Sequence, residues 1–150
     1  MGHSYTSSLF HCVFSTKDRQ RLITPTVRDR LCPYIGGIGR KNKFKLISSN
    51  EVPDHIHLLI SIPATMAVAK AVQLVKGGSS KWIHDTFPDL RRFAWQEGYG
   101  AFSISISGTA STITYIQDQE ELHRKKTFEE EFVDFLKKHG IDYDERYVFG

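Results

Sequence analysis

Polar and apolar residues alternate along Val52–Ile62. His55, His57, Leu59 and Ser61 fall on one side of an extended chain, and Ile56, Leu58, Ile60 and Ile62 on the other. The pattern predicts a strand with one side on a core and one polar side. Phe102-Ser103-Ile104-Ser105-Ile106-Ser107 alternates more strictly still, and Gly108 ends it. Ser8 to Ser15, rich in Phe and Val, and Phe44 to Ser48 read as two further strands.

Helical spacing fills the gaps. Thr24-Pro25 is a helix start, with Thr24 as cap and Pro25 at the first helical position. That helix is not expected to pass Pro33, and Gly36-Gly37-Ile38-Gly39 then frees the chain to turn. Val68, Ala71, Val72 and Val75 recur as on one helix face, with Gly77-Gly78 as the expected end. Ser79 or Ser80 would cap a further short helix carrying Trp82. Ser111 would cap a helix running to about Lys125, and Thr127 with Glu130 forms a capping box. Phe132, Phe135 and Leu136 stripe the last helix, which Gly140 stops. The order strand, helix, two strands, helix, strand, helix, helix predicts a ferredoxin-like α+β fold. It has a mainly antiparallel sheet, helices on one face and a C-terminal helix, in a single domain over residues 1–150.

Composition narrows the class little. The chain has 150 residues, 40% hydrophobic and 25% charged, with net charge +3, which permits a nucleic-acid partner without requiring one. Cys12 and Cys32 form no CxxC pair and are expected as core thiols in a reducing cytoplasm. No signal peptide is indicated, and Lys70 and Lys76 interrupt the longest apolar stretches, so no membrane span is expected.

The histidine strand carries the first candidate chemistry. Imidazoles two residues apart on a strand point the same way, which suits a divalent metal; the plain alternative is a solvent-facing pair on a half-exposed strand. Tyr115 and Gln119, four apart, share a helix face. A phenol needs help to act as a nucleophile, and a nearby metal supplies part of it. Gln119 can add an amide oxygen to His55 and His57, giving a neutral set of mixed nitrogen and oxygen donors that fits Mn²⁺ best and Mg²⁺ also. A packed amphipathic tyrosine and a solvated glutamine are the plain alternatives. Lys76, Lys81, Arg91 and Arg92, with Trp82 and Trp95 near in sequence, are candidates for a phosphate-binding face with stacking aromatics; a solvated basic face and two core tryptophans is the other reading. His123, one turn beyond Gln119, is a further candidate to approach the metal, with a surface histidine as the favoured reading, and Glu129-Glu130-Glu131 is expected as helix-end charge.

Pro53-Asp54-His55-Ile56-His57-Leu58-Leu59 resembles the HUH strand, two histidines flanking a bulky apolar residue, of the single-tyrosine transposases of small hairpin-ended insertion sequences, the IS200-like family. Tyr115-Ile116-Gln117-Asp118-Gln119 resembles their catalytic helix. Lys76-Gly77-Gly78-Ser79-Ser80-Lys81-Trp82, Trp95-Gln96-Glu97-Gly98-Tyr99-Gly100-Ala101-Phe102 and His139-Gly140-Ile141-Asp142-Tyr143-Asp144 are also similar to family segments, in the same order, over about His11 to Tyr147. One departure is Gly108-Thr109-Ala110-Ser111-Thr112-Ile113-Thr114, where members carry charged residues before the tyrosine.

The resemblance implies a DNA transposase of bacterial or archaeal cytoplasm. Tyr115 would attack single-stranded DNA in a metal-dependent step, hold the 5′ phosphate as phosphotyrosine and free a 3′ hydroxyl; a later 3′ hydroxyl would reverse the step and join new ends. It also implies hairpin-bearing single-stranded DNA as partner, and a homodimer in which the tyrosine helix of one subunit can complete the metal site of the other. Rival readings are an HUH replication initiator or relaxase, a domesticated hairpin-binding protein without cleavage, and a ferredoxin-like RNA binder without enzymatic activity.

Overall fold

The sheet order is β2-β3-β1-β4, built from β1 (Leu9–Ser15), β2 (Lys45–Val52), β3 (His55–Ser61) and β4 (Gly100–Ile104), every neighbouring pair antiparallel. This is a computed structural model and describes residues 2–123 and 125–150. Pro53 and Asp54 form the turn between β2 and β3, so the histidine strand starts directly after a tight reversal. The pairing sets His57 opposite Val13 on one side and Asn50 on the other. The ferredoxin-like α+β plan with an antiparallel sheet read from the sequence is the observed one, but helices cover both faces of the sheet rather than one, because α5 (Phe128–Lys138) also carries an apolar stripe to bury.

The helices divide between the two faces. α1 (Pro25–Asn42) and α2 (Val68–Thr86) cover the side bearing Cys12, Phe14, Ile56, Leu58 and Ile60, and with Val27, Leu31, Ile35, Val72, Val75 and Ile83 they close an apolar core. Burial pushes the Cys12 thiol there up to about 12, so it packs as a small apolar group. Three C-terminal helices follow: α3 (Thr109–Gln117), α4 (Gln119–Leu122) and α5 (Phe128–Lys138). α5 lies over the other face, where Phe128, Phe132 and Leu136 join Val13 and Phe102 in a second, smaller core.

Several local expectations fail: the strand read over residues 102–107 ends at Ile104 and gives way to a 3-10 turn at Ile106–Gly108, and three helix bounds differ for identifiable reasons. α1 runs through Pro33 and the glycines to Asn42. Pro33 and Asp29, whose carbonyl loses its helical partner, are both exposed, so the proline sits on the solvent side of the helix where losing that bond costs least. α2 likewise runs through Gly77-Gly78 to Thr86. A Cβ at Gly78 would stand 2.8 Å from Ile38 Cδ1, so this glycine lets α1 and α2 approach closely rather than ending a helix. α3 begins at Thr109 instead of near Ser111, whose hydroxyl, with that of Thr112, bonds back to the Gly108 carbonyl. Thr24 caps α1, and Thr127 with Glu130 forms the capping box of α5, as read from the sequence. Among the described residues no helix is long and apolar enough to cross a membrane.

Candidate metal centre and active site

The two histidines of β3 are not on a wet face. His55 and His57 are 1% and 0% exposed, because α3 and α5 lie across the side of the sheet to which they point. The half-exposed strand and solvent-facing pair considered from the sequence are therefore not what forms. β1 brings a third imidazole, His11, whose Nε2 lies 2.8 Å from His57 Nδ1, so one proton is shared between two buried rings. Asp54, in the turn before β3, sits 2.7 Å from His55 Nδ1 and fixes that ring with Nδ1 as donor. In that tautomer His55 Nε2 is an acceptor, buried and, among the described residues, without a hydrogen-bond partner.

The tyrosine helix is fastened to the same sheet. Asn50, the neighbour of His57 on β2, donates from its buried amide to the carbonyls of Ile116 at 2.9 Å and Gln117 at 3.3 Å. Those carbonyls mark the end of α3; at Asp118 (φ −90°, ψ 22°) the helix breaks before α4 begins. The break falls between Tyr115 and Gln119, yet both still face the histidines. The Tyr115 ring lies 5.9 Å from that of His57, and its hydroxyl donates to Glu131 Oε2. Gln119 is fully buried; its Nε2 donates to the Tyr115 carbonyl and its Oε1 accepts from His123 Nε2 at 3.0 Å.

Glu131 is the centre of the arrangement. Its Oε1 lies 3.0 Å from His57 Nε2, 3.4 Å from His123 Nε2 and 3.6 Å from His55 Nε2. One ligand atom each from His55, His57, His123 and Glu131 all lie within 4.8 Å of one another, which is a cluster able to hold a metal ion. Burial would raise the Glu131 carboxyl, but hydrogen bonds from His123 and His57 outweigh it and hold the group well below the usual carboxylate range. Burial and the Glu131 charge push the Tyr115 phenol well above its ordinary value, so the resting hydroxyl keeps its proton. Burial lowers His57, and pushes His11 down to about 3.

Two hollows open onto this cluster. One, about 450 Å³, is lined by His55, Gln119 and His123 with Arg21 and Lys126 at its edge. The other, about 480 Å³, reaches Tyr115 and His11 past Lys138 and His139. Neither is lined by Lys76, Lys81, Arg91 or Arg92. Lys76 is engaged within the fold: its ammonium donates to the carbonyls of Gln96, Glu97 and Gly98 at 2.7, 3.1 and 2.6 Å. Lys81 is exposed and paired with Asp85, and Arg91 and Arg92 are exposed beyond α2. Trp95 is a core residue bonded to Ser79, and Trp82 is half-buried and stacked on Tyr34.

The structure thus gathers His55, His57, Tyr115 and Gln119, all four singled out in the sequence, and brings Tyr115 to the histidines of its own chain. It adds His11, Asn50, Asp54 and Glu131, and brings in His123, a further candidate ligand in the sequence. Glu131 left a readable trace: it falls on the stripe of Phe128, Phe132 and Phe135, where a charge is out of place. His11, inside an apolar strand, left a similar one. His123 is in the cluster rather than on the surface.

The chain is similar to known proteins in sequence and in fold. Residues 4–119 match the family model described as "Transposase IS200 like". The ISDra2 transposase TnpA of Deinococcus radiodurans is 26% identical over 126 residues, covering 80% of this chain and 90% of that protein. The transposase for insertion sequence element IS200 of Salmonella typhimurium is also 26% identical over 126 residues, covering 81% and 82%. The crystal structure of a putative transposase from Deinococcus radiodurans superposes with a TM-score of 0.65 at 25% identity, over 79% of this chain and 96% of that one. A REP-associated tyrosine transposase bound to a REP hairpin shares the fold, with a TM-score of 0.61 at 17% identity, over 82% of this chain and 73% of that one.

Proposed function

This chain belongs to the IS200-like transposase family, and on that premise we propose that it cuts and rejoins single-stranded DNA through a tyrosine–phosphate intermediate. One observation carries the reading: the Tyr115 hydroxyl stands inside a buried cluster of imidazoles, a carboxylate and an amide supplied by its own chain. In the reaction the Tyr115 oxygen bonds to phosphorus while the bond to the 3′ oxygen breaks. The products are a 5′-phosphotyrosine and a free 3′ hydroxyl. Because the ester bond is exchanged rather than hydrolysed, a second 3′ hydroxyl can displace Tyr115 and seal a new junction without an external energy source.

A divalent ion fits the site. The orphaned Nε2 of His55 is a buried acceptor in want of a partner, and Asp54 already sets its tautomer. His55, His57 and Gln119 would hold Mn²⁺ or Mg²⁺, which would polarise the phosphate and ease loss of the phenol proton. The chain's own residues do the rest. Asn50 holds the end of α3, Gln119 ties the amide to the Tyr115 backbone, and Glu131 keeps the hydroxyl pointed into the cluster.

Hairpin-bearing single-stranded DNA is the proposed substrate, supported by the hairpin bound to the REP-associated relative. Arg21, Lys126 and Lys138, at the mouths of the two hollows, supply positive charge for its backbone. A homodimer is part of the proposal. The complete set within one chain supports sites built within each subunit rather than exchanged. Mixing His57→Ala with Tyr115→Phe protein should then leave mixed dimers inactive, whereas recovery would show exchange.

The deciding test is the covalent adduct. Wild-type protein with hairpin DNA and Mn²⁺ should give a denaturation-resistant complex whose phosphopeptide maps to Tyr115. Tyr115→Phe removes one oxygen, so it should fold and bind DNA yet form no adduct. An adduct on another tyrosine, or undiminished cleavage by Tyr115→Phe, would overturn the proposal.

A further inference from the structure

α5 carries an amphipathic sequence in which one position breaks the rule. Phe128, Phe132 and Leu136 face the sheet, and Glu131 faces it with them at 1% exposure. A carboxylate out of water is costly unless a cation or metal sits with it. Among the described residues the nitrogens that face its carboxylate are all imidazole: those of His55, His57 and His123. No helix-packing need explains an acid here, since the neighbouring contacts of α5 are aromatic, Phe102 on Phe135 and Phe128 on Phe132.

The spacing of the donors is that of a coordination shell. Ligand atoms at about 2.1 Å from one small divalent ion stand roughly 3.0 to 3.4 Å apart, depending on octahedral or tetrahedral arrangement. Glu131 Oε1 lies 3.0, 3.4 and 3.6 Å from the three Nε2 atoms. The carboxylate's other oxygen is turned away from the imidazoles and accepts from the Tyr115 hydroxyl. One group therefore touches both the ligand cluster and the attacking atom.

We infer that Glu131 is itself a ligand of the divalent ion, an anionic oxygen donor delivered by α5, and that it fixes the Tyr115 hydroxyl beside that ion. The inference rests on the metal reading made above and adds to it a residue beyond the segment matched by the family model, which ends at residue 119. It changes the character of the site. Two imidazoles and an amide are neutral; with Glu131 the set carries one negative charge and a second oxygen, which favours the hard divalent ions Mn²⁺ and Mg²⁺.

The test uses the full chain without DNA, stripped with EDTA and titrated with Mn²⁺ by calorimetry. Wild type should bind one ion, and Tyr115→Phe should bind within about threefold of it. Glu131→Gln keeps size and shape but loses the anionic oxygen, and should bind roughly 10- to 100-fold more weakly. His57→Ala should bind none. In wild type the infrared carboxylate stretch of ¹³C-glutamate-labelled protein should shift on adding Mn²⁺, and that shift should be absent from Glu131→Gln. Should Glu131→Gln fail to fold, the infrared shift in wild type together with Glu131→Asp carries the test. The Asp variant keeps the charge on a shorter arm and should bind with intermediate affinity.

Unchanged Mn²⁺ affinity in Glu131→Gln, with binding lost in His57→Ala, would remove Glu131 from the ligand set and leave the metal reading standing. So would a wild-type carboxylate band that does not move on Mn²⁺ binding. Wild-type protein that binds no Mn²⁺ at millimolar concentration would overturn both.

Discussion

β1 and β3 send alternate residues into two environments that are equally dry and otherwise opposed. Toward α1 and α2 go Cys12, Phe14, Ile56, Leu58 and Ile60; toward α3 and α5 go His11, Val13, His55 and His57, all of them buried. Burial does not separate the two faces; the demand each side chain makes on its neighbours does. On the first face any apolar group of suitable volume is satisfied by contact. On the second every polar atom needs a particular partner, and His55 Nε2 has none. The cluster able to hold a metal ion lies where the fold leaves a buried nitrogen unpaired.

Breaking the first face should show mainly as lost stability. Leu58→Ala empties a fully packed position and should destabilise by about 2–5 kcal/mol, read from urea unfolding. The folded fraction should still form the Tyr115 adduct. His55→Ala, one face over, should cost less than Leu58→Ala and should abolish metal binding. Equal stability losses, with both variants still binding Mn²⁺, would erase the distinction between the faces.

Mn²⁺ should sharpen the contrast from the other side. An ion that binds only the folded chain stabilises it by about 2.7 kcal/mol at a hundred times its dissociation constant. Melting temperature should rise with Mn²⁺ in wild type and in Leu58→Ala, fall back with EDTA, and stay flat in His55→Ala.

Acid should act on the histidine face through His11. His11 is pushed down to about 3 from an ordinary 6.5. Between those values the unfolded chain takes up a proton that the folded chain refuses, so stability is whole above about pH 6.5 and falls as pH drops toward 3. At pH 5 the loss from this group is on the order of 2 kcal/mol. His11→Phe should lose less stability than wild type between pH 7 and pH 5; equal losses would show that another group sets the acid response.

The smallest effect is expected at the join between the sheet and the tyrosine helix. Asn50→Ala deletes the donor to the Ile116 and Gln117 carbonyls and should cost about 1 kcal/mol. Hydrogen exchange should speed up in α3 and not in α1.

The strands and their order were legible because alternation reports which residues share a face, and four of the cluster's residues could be named because His-x-His and Tyr-x₃-Gln are local spacings. What alternation cannot report is whether a polar face meets water. That depends on what packs over it, and here the cover is α5, more than 70 residues further along the chain. Pro33 and Gly77-Gly78 misled for a related reason. As local signals they end helices, but the α1–α2 packing at Ile38 and Gly78 turns the second into a point of close approach. Glu131 was read with Glu129 and Glu130 as helix-end charge, although its position on the aromatic stripe set it apart.

The order in which the cluster appears along the chain also fixes when it can exist. His11, His55, His57, Tyr115 and Gln119 all leave the ribosome before Glu131. A nascent chain, or one cut short in the segment before Phe128, has Tyr115 and both strand histidines but lacks the carboxylate that accepts from the tyrosine hydroxyl. The cluster is therefore completed last, once α5 has been made and laid over the sheet.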